Sequence, residues 1–164
     1  MAAGSTYTPI ATTTLGSATA TVTFNSFSGY TDLVLIVNGT RTTNNGDMTI
    51  AINGDSGSNY SFTRLTGDGS SAVSQASSND TIGYTGVLSS STRGTVIVQF
   101  QNYSNSTTYK TWLTRFNVTS DRVGAYVNLW RSTSAITSIT VLTLSSGSNL
   151  LSGSTFTLYG ILKA

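Results

Sequence analysis

The sequence predicts an all-β fold, a two-sheet antiparallel sandwich, jelly-roll-like, with about 8–10 strands. Three observations predict it. Apolar and polar residues alternate in short runs, the pattern of half-buried strands, whose successive side chains point to opposite faces. Gly, Asn and Ser punctuate those runs as turn formers. Ser and Thr supply about a third of the 164 residues, and Thr suits strands because its branched Cβ packs well on a pleated surface. Eight Tyr, six Phe and two Trp separate the chain from disordered Ser/Gly-rich segments, which are poor in aromatics.

Residues 1–15 read as an N-terminal extended arm or edge strand, because Pro9 cannot donate to a ladder, and residues 16–164 read as one sandwich domain. In residues 18–24, Ala20, Val22 and Phe24 share one face and Thr19, Thr21 and Thr23 the other. Residues 33–37 do not alternate, so they read as a central strand covered on both faces and ended by Asn38-Gly39. Residues 47–53 alternate through Met48, Ile50 and Ile52, between Asn45-Gly46 and Asn53-Gly54, pairs that favour two-residue hairpins because both residues tolerate positive φ. Residues 60–65 are a short strand; residues 67–80 read as a surface loop, with one helical turn allowed at 72–78.

The second half continues with strands at 82–86, 95–103, 109–119, 124–131, 136–144 and 155–162. Trp112, Thr114, Phe116 and Val118 share a face, which assigns Trp112 to the core. Tyr126, Asn128 and Trp130 oppose Ala125, Val127 and Leu129. Aromatic anchors tend to be packed and are enriched at subunit contacts, so Tyr126 and Trp130, with Pro9 and Ile10 of the arm, form the candidate subunit interface. No window of helical length carries a capped apolar stripe. An immunoglobulin-type sandwich takes about 100 residues around a Cys-Trp-Cys core, and this chain of 164 residues has no cysteine.

The composition removes most chemistry. With no His, no Cys and no Glu, the chain cannot build a Ser-His-Asp or Cys-His arrangement or an ordinary zinc site, and no catalytic residue, cofactor or metal is expected. A glycosidase would need two working carboxylates. Asp47, Asp55, Asp68 and Asp80 instead adjoin Gly or Asn, where Asp supports turns; Asp32 opens a strand, and Asp121 adjoins Arg122 at a hairpin end. A cation near Asp55, in the segment Asn53-Gly-Asp55-Ser-Gly-Ser-Asn59, is the one metal alternative, although it lacks the bidentate Glu of an EF-hand.

The six Arg are scattered, so the net charge of +2 forms no basic stripe and nucleic acid is not an expected partner. The longest apolar run, residues 33–37, falls far short of the roughly 20 residues of a membrane helix, so no membrane insertion is expected. Residues 1–10 show no secretory pattern, so the six Asn-x-Ser/Thr sequons imply no glycans, and synthesis in the host cytoplasm is expected.

Six segments run in a shared order along nearly the whole chain: Tyr7-Thr-Pro-Ile-Ala; Val22-Thr-Phe with Tyr30-Thr-Asp-Leu; Ile52-Asn-Gly-Asp-Ser-Gly-Ser-Asn-Tyr60; Leu65-Thr-Gly-Asp-Gly-Ser; Ser134-Ala-Ile-Thr-Ser-Ile-Thr; and Phe156-Thr-Leu-Tyr-Gly-Ile161. In these the chain resembles small bacteriophage virion structural proteins and tail-fibre tip domains with a jelly-roll-like fold. It departs from them at Arg64, where family members often carry His, so no His-dependent site is carried over. The resemblance implies a jelly-roll-like module on a virus particle, a structural or fibre protein; with no stem or attachment region visible in 164 residues, the leading expectation is a non-enzymatic virion structural protein on the particle surface, foremost a capsid decoration (cement) protein. The alternative is a tail-fibre or short-fibre module that recognises host surface glycans through loops such as 67–80 or 89–92. Expected partners are copies of itself, as a homotrimer or other symmetric homo-oligomer, and the major capsid protein or another virion protein.

Overall fold

The computed structural model describes residues 6–118, 122–144 and 147–162. Among these there is no helix, and the strands are β1 (Tyr7–Thr14), β2 (Thr21–Asn25), β3 (Asp32–Gly39), β4 (Gly46–Ile52), β5 (Tyr60–Gly67), β6 (Ala72–Asp80), β7 (Gly83–Leu88), β8 (Gly94–Phe100), β9 (Lys110–Val118), β10 (Arg122–Trp130), β11 (Ser138–Thr143) and β12 (Thr155–Ile161). They form an eight-stranded sheet of order β1-β12-β3-β8-β9-β10-β5-β6 and a four-stranded sheet of order β2-β11-β4-β7. Every pairing is antiparallel.

The order carries a jelly roll with an extension. Setting aside the hairpins β5-β6 and β9-β10 leaves two four-stranded sheets, β1-β12-β3-β8 and β2-β11-β4-β7. Their strands pair first with last and second with next-to-last, the doubled-back pattern of a jelly roll. The two hairpins pair with each other through β5 and β10 and dock on β8 through β9, which doubles the larger sheet.

The sequence expectations hold where the apolar pattern was strong, whether alternating or continuous. β9 buries Trp112, Thr114, Phe116 and Val118 on one face, and β3 lies centrally between β12 and β8, with Leu33, Leu35 and Val37 in the core and Val34 covered on the other face. Residues 72–80 differ from expectation. They are neither loop nor helical turn but β6, laddered on β5 through Ala72–Ser78. The backbone ladder makes this strand; its side chains are almost all exposed and supply no apolar pattern.

Asn53-Gly54 also departs from the expected hairpin. Both residues have positive φ, 53° and 69°, and Asp55 N donates to Ile52 O at 2.9 Å, so a tight turn does form. It connects β4 of the small sheet to β5 of the large one, so the flanking strands do not pair. The Asn53 side chain then anchors the approach to β11, accepting from Thr137 N and Ser138 N and donating to Ala135 O. Of the segment 1–15 expected as an arm or edge strand, Tyr7–Thr14 form β1, at one edge of the large sheet, with a register break between Pro9 and Ala11, and residues 1–5 lie outside the described residues.

The inner face of the extension is aromatic: Tyr60, Phe62, Trp112, Phe116, Tyr126 and Trp130 are all buried. Trp112 meets Phe100 and Tyr60 at centroid distances of 5.6 and 6.4 Å, and Tyr126 meets Phe62 and Phe116 at 5.6 and 5.7 Å. Strand β7 closes over this face, and glycine lets it approach. A Cβ at Gly83 would sit 2.3 Å from Trp112 Cζ2, and one at Gly86, whose φ is +137°, would sit 3.1 Å from Phe116.

Overpacking a filled core costs about 1–3 kcal/mol. Gly83→Ala is therefore expected to destabilise the protein by about that amount, measured by urea denaturation. Gly16→Ala, with no atom within 4 Å of the new Cβ, is the matched control and leaves the midpoint unchanged.

Candidate functional site

A group of ionisable side chains gathers where the small sheet meets the extension. Asp47 comes from β4, Arg64 from β5 and Tyr126 from β10, with Arg64 and Tyr126 directly opposite in the ladder. The Tyr126 hydroxyl donates to Asp47 Oδ1 at 3.2 Å and accepts from Arg64 Nη1 at 2.9 Å. Arg64 also lies 3.7 Å from Asp47 Oδ1 and over the Tyr126 ring, 5.7 Å from its centroid. Burial, reinforced by the Asp47 charge, pushes the Tyr126 phenol up to about 12. Tyr84 is raised by burial and by the charges of Asp80 and Asp47. Neither phenol titrates near neutrality, where a general acid or base works best. The trio acts as a clasp between sheets.

The remaining described aspartates are similarly engaged. Asp55 accepts from Trp130 Nε1 at 2.7 Å, Asn59 Nδ2 at 2.9 Å and Gly57 N at 2.8 Å. Burial raises its pKa, but these three donors outweigh that and hold it below its ordinary value. A cation needs a ring of acceptors, whereas this carboxylate already faces N–H donors, so the loop is built around Asp55 itself. Among the described residues, no three of His, Cys, Asp and Glu gather as metal ligands. Asp68 is held well below the usual carboxylate range by N–H groups of Ser71 and Ser70 in the β5–β6 turn. Asp32 accepts from Asn102 N, and Asp80 from Ser77 Oγ. Asp121 lies outside the described residues.

Two cations are buried as braces. Lys110 Nζ donates to the carbonyls of Thr108 and Thr133 at 2.8 and 3.1 Å, and Arg41 Nε to Ser148 Oγ at 3.0 Å. Desolvation lowers the pKa of both.

What is left unoccupied is the outer face of the extension. Strand parity there turns Leu65, Leu113, Val123 and Val127 outward, and they are 63, 41, 59 and 56 percent exposed. Across β8, β9, β10, β5 and β6, Arg115 is the one charged side chain at outward positions among the described residues. A hollow of about 640 Å³ at the Gly67–Ala72 end of the extension is lined by residues of both parities, Leu65 and Val123 from this face and Phe116 and Val73 from the other.

The candidate interface residues separate. Pro9 is exposed on β1, and Ile10 is half-buried against the core. Tyr126 and Trp130 are 0 and 3 percent exposed and point into the chain's own core, so they are not available to a second subunit. The β10 face that remains open is the opposite one, with Val123 and Val127. Sequence reasoning passed over that face because it took the aromatic side of β10 for the surface. The available signal was that β10 carries apolar residues on both sides, Val123, Ala125, Val127 and Leu129 on the one and Tyr126 and Trp130 on the other.

No protein-family model matches the chain, and no curated protein matches it in sequence.

Asp55 yields a stability prediction with a definite sign. A carboxylate whose folded pKa lies below its ordinary 3.8 stabilises the fold above that value, and the contribution is lost as pH falls through the folded pKa. Asp55→Ala, which orphans the Trp130 indole N–H, is expected to cost about 1–3 kcal/mol at pH 7. In urea titrations the gap between variant and parent should shrink once pH drops below 3.8.

Proposed function

We propose that the chain is a non-enzymatic structural protein of a bacteriophage particle, a capsid decoration protein that seats the outer face of its large sheet on the shell. The observation that carries this reading is that face itself. It is broad and aliphatic at Leu65, Leu113, Val123 and Val127, and nearly free of charge. Such a face can be covered by another protein without stripping water from ions, the costly step in burying polar surface. Contiguous apolar patches of this kind mark interaction sites.

Two further features support it. Every described aspartate is engaged by donors of the chain itself, so its charges serve the fold. The jelly-roll order is also common in viral capsid proteins and lectins, a fold-level analogy that agrees with the resemblance in sequence. The glycan-binding alternative draws less support, because residues 72–80 of the 67–80 segment it would use are committed to a ladder, which leaves it residues 89–92, in the loop between β7 and β8.

The test is binding of the purified chain to particles that lack it. Co-sedimentation with capsids and not with host cells is the expected result; binding to cells or cell-surface glycan alone would overturn it. Val127→Asp and Leu65→Asp should each weaken capsid binding at least about tenfold, since burying such a side chain contributes about 1.5–3 kcal/mol and 1.4 kcal/mol is a factor of ten. Both positions are exposed, so circular dichroism should not change.

A further inference from the structure

The two edges of the large sheet are not alike. At one, β1 carries Pro9, which has no N–H, and a register break between Pro9 and Ala11. Proline and bulges are devices that keep an edge from pairing with another chain. At the other, β6 has neither over Ala72–Ser78, where it is regularly laddered on β5. That stretch contains no proline, no glycine and no charge, and its side chains are almost all exposed. The irregularity comes only afterwards, at Asn79, whose φ is +61°, and the first charge at Asp80. An unprotected, uncharged edge of this length is a template for a further strand.

We propose that the strand it takes is β6 of a second copy, antiparallel, about a two-fold axis through Gln75. Symmetry selects this arrangement. Reversing strand direction while keeping each side chain on its own face requires an axis perpendicular to the sheet, so one residue must face its own counterpart. Centring on Gln75 pairs the whole regular stretch: Ala72 with Ser78, Val73 with Ser77, Ser74 with Ala76, and Gln75 with itself. No like charges meet, two Gln amides can exchange hydrogen bonds, and the ladder gains about one backbone hydrogen bond per facing pair. The contact is isologous and closes at two copies, whereas pairing β6 with β1 would generate an open filament. The result is two-fold, one of the symmetric homo-oligomers expected beside a trimer. It concerns the free chain, so it stands or falls independently of capsid binding.

The chain contains no cysteine, which makes single-cysteine cross-linking clean. Facing residues of an antiparallel pair have Cα atoms about 4.5–5.5 Å apart, within disulfide reach. Under mild oxidation Gln75→Cys should form a covalent dimer and Thr12→Cys, on exposed β1, should not. By analytical ultracentrifugation the parent should sediment at twice the chain mass and Gln75→Lys at the chain mass, with the same circular dichroism; the parent's melting midpoint should rise with protein concentration and the variant's should not. A monomeric parent at all concentrations, a dimer that Gln75→Lys leaves intact, cross-linking at Thr12→Cys in its place, or assemblies that grow without closing would each overturn the proposal.

Discussion

The structure depends on one close approach, that of β7 to the aromatic inner face of the extension. The small sheet has four strands and the large one eight, so half of the larger sheet would have a wet inner face unless something reached across. Strand β7, at the edge of the small sheet, does so because Gly83 and Gly86 let its backbone lie on Trp112 and Phe116. The Asp47–Arg64–Tyr126 clasp sits at the same junction and fixes the angle at which the sheets close. Cover ends there. Strand β6 lies beyond it, which is why its side chains are exposed and why its ladder with β5 is the main thing holding it.

Much of the fold was legible in the sequence wherever a strand is wet on one side and dry on the other. Strand β9 is the clearest case, since Trp112, Thr114, Phe116 and Val118 name their own face. Strand β6 was illegible for the complementary reason: with no dry face, Ala-Val-Ser-Gln-Ala-Ser-Ser has no period to read, and its strand character comes from β5. The jelly-roll order was legible only as a class. Its pairings join residues far apart in sequence, such as Tyr7 with Ile161 and Thr14 with Thr155, and local pattern carries no record of them. The two faces of β10 mark the same limit at the candidate site. Both carry apolar residues, and which one turned inward was settled by β7, a strand forty residues earlier whose glycines carry no apolar signal.

The hydroxyl-rich composition has a structural use beyond strand propensity. Neighbouring strands meet through hydroxyl pairs such as Thr23 with Thr140 at 3.0 Å and Thr12 with Thr157 at 3.2 Å, so exposed ladders satisfy one another without ions. Several of the ions are spent on joints: Asp55 on the Trp130 loop, Lys110 on two carbonyls, Asp68 on a turn. A surface made this way stays hydrated by groups whose desolvation costs less than that of carboxylates or ammonium groups. That favours contact with other proteins over wide areas and gives little purchase to partners recognised by charge.

Face and edge belong to one geometry. A two-fold axis perpendicular to the sheet at β6 leaves the outer faces of both copies on the same side, so pairing does not hide the face proposed to meet the shell. Sheets twist by roughly 20–25° per strand, however, so only strands near the axis share a plane. In the large sheet those are β6, β5 and β10, the last two of which carry Leu65, Val123 and Val127. The most exposed aliphatic side chains therefore lie where the two copies' outer faces are most nearly continuous, whereas β1 and β12, seven and six strands from β6, are turned away. A paired molecule would thus present two apolar patches close on either side of a central strip formed by Ala72, Ser74, Ala76 and Ser78 of each copy, and its target would need matching two-fold symmetry.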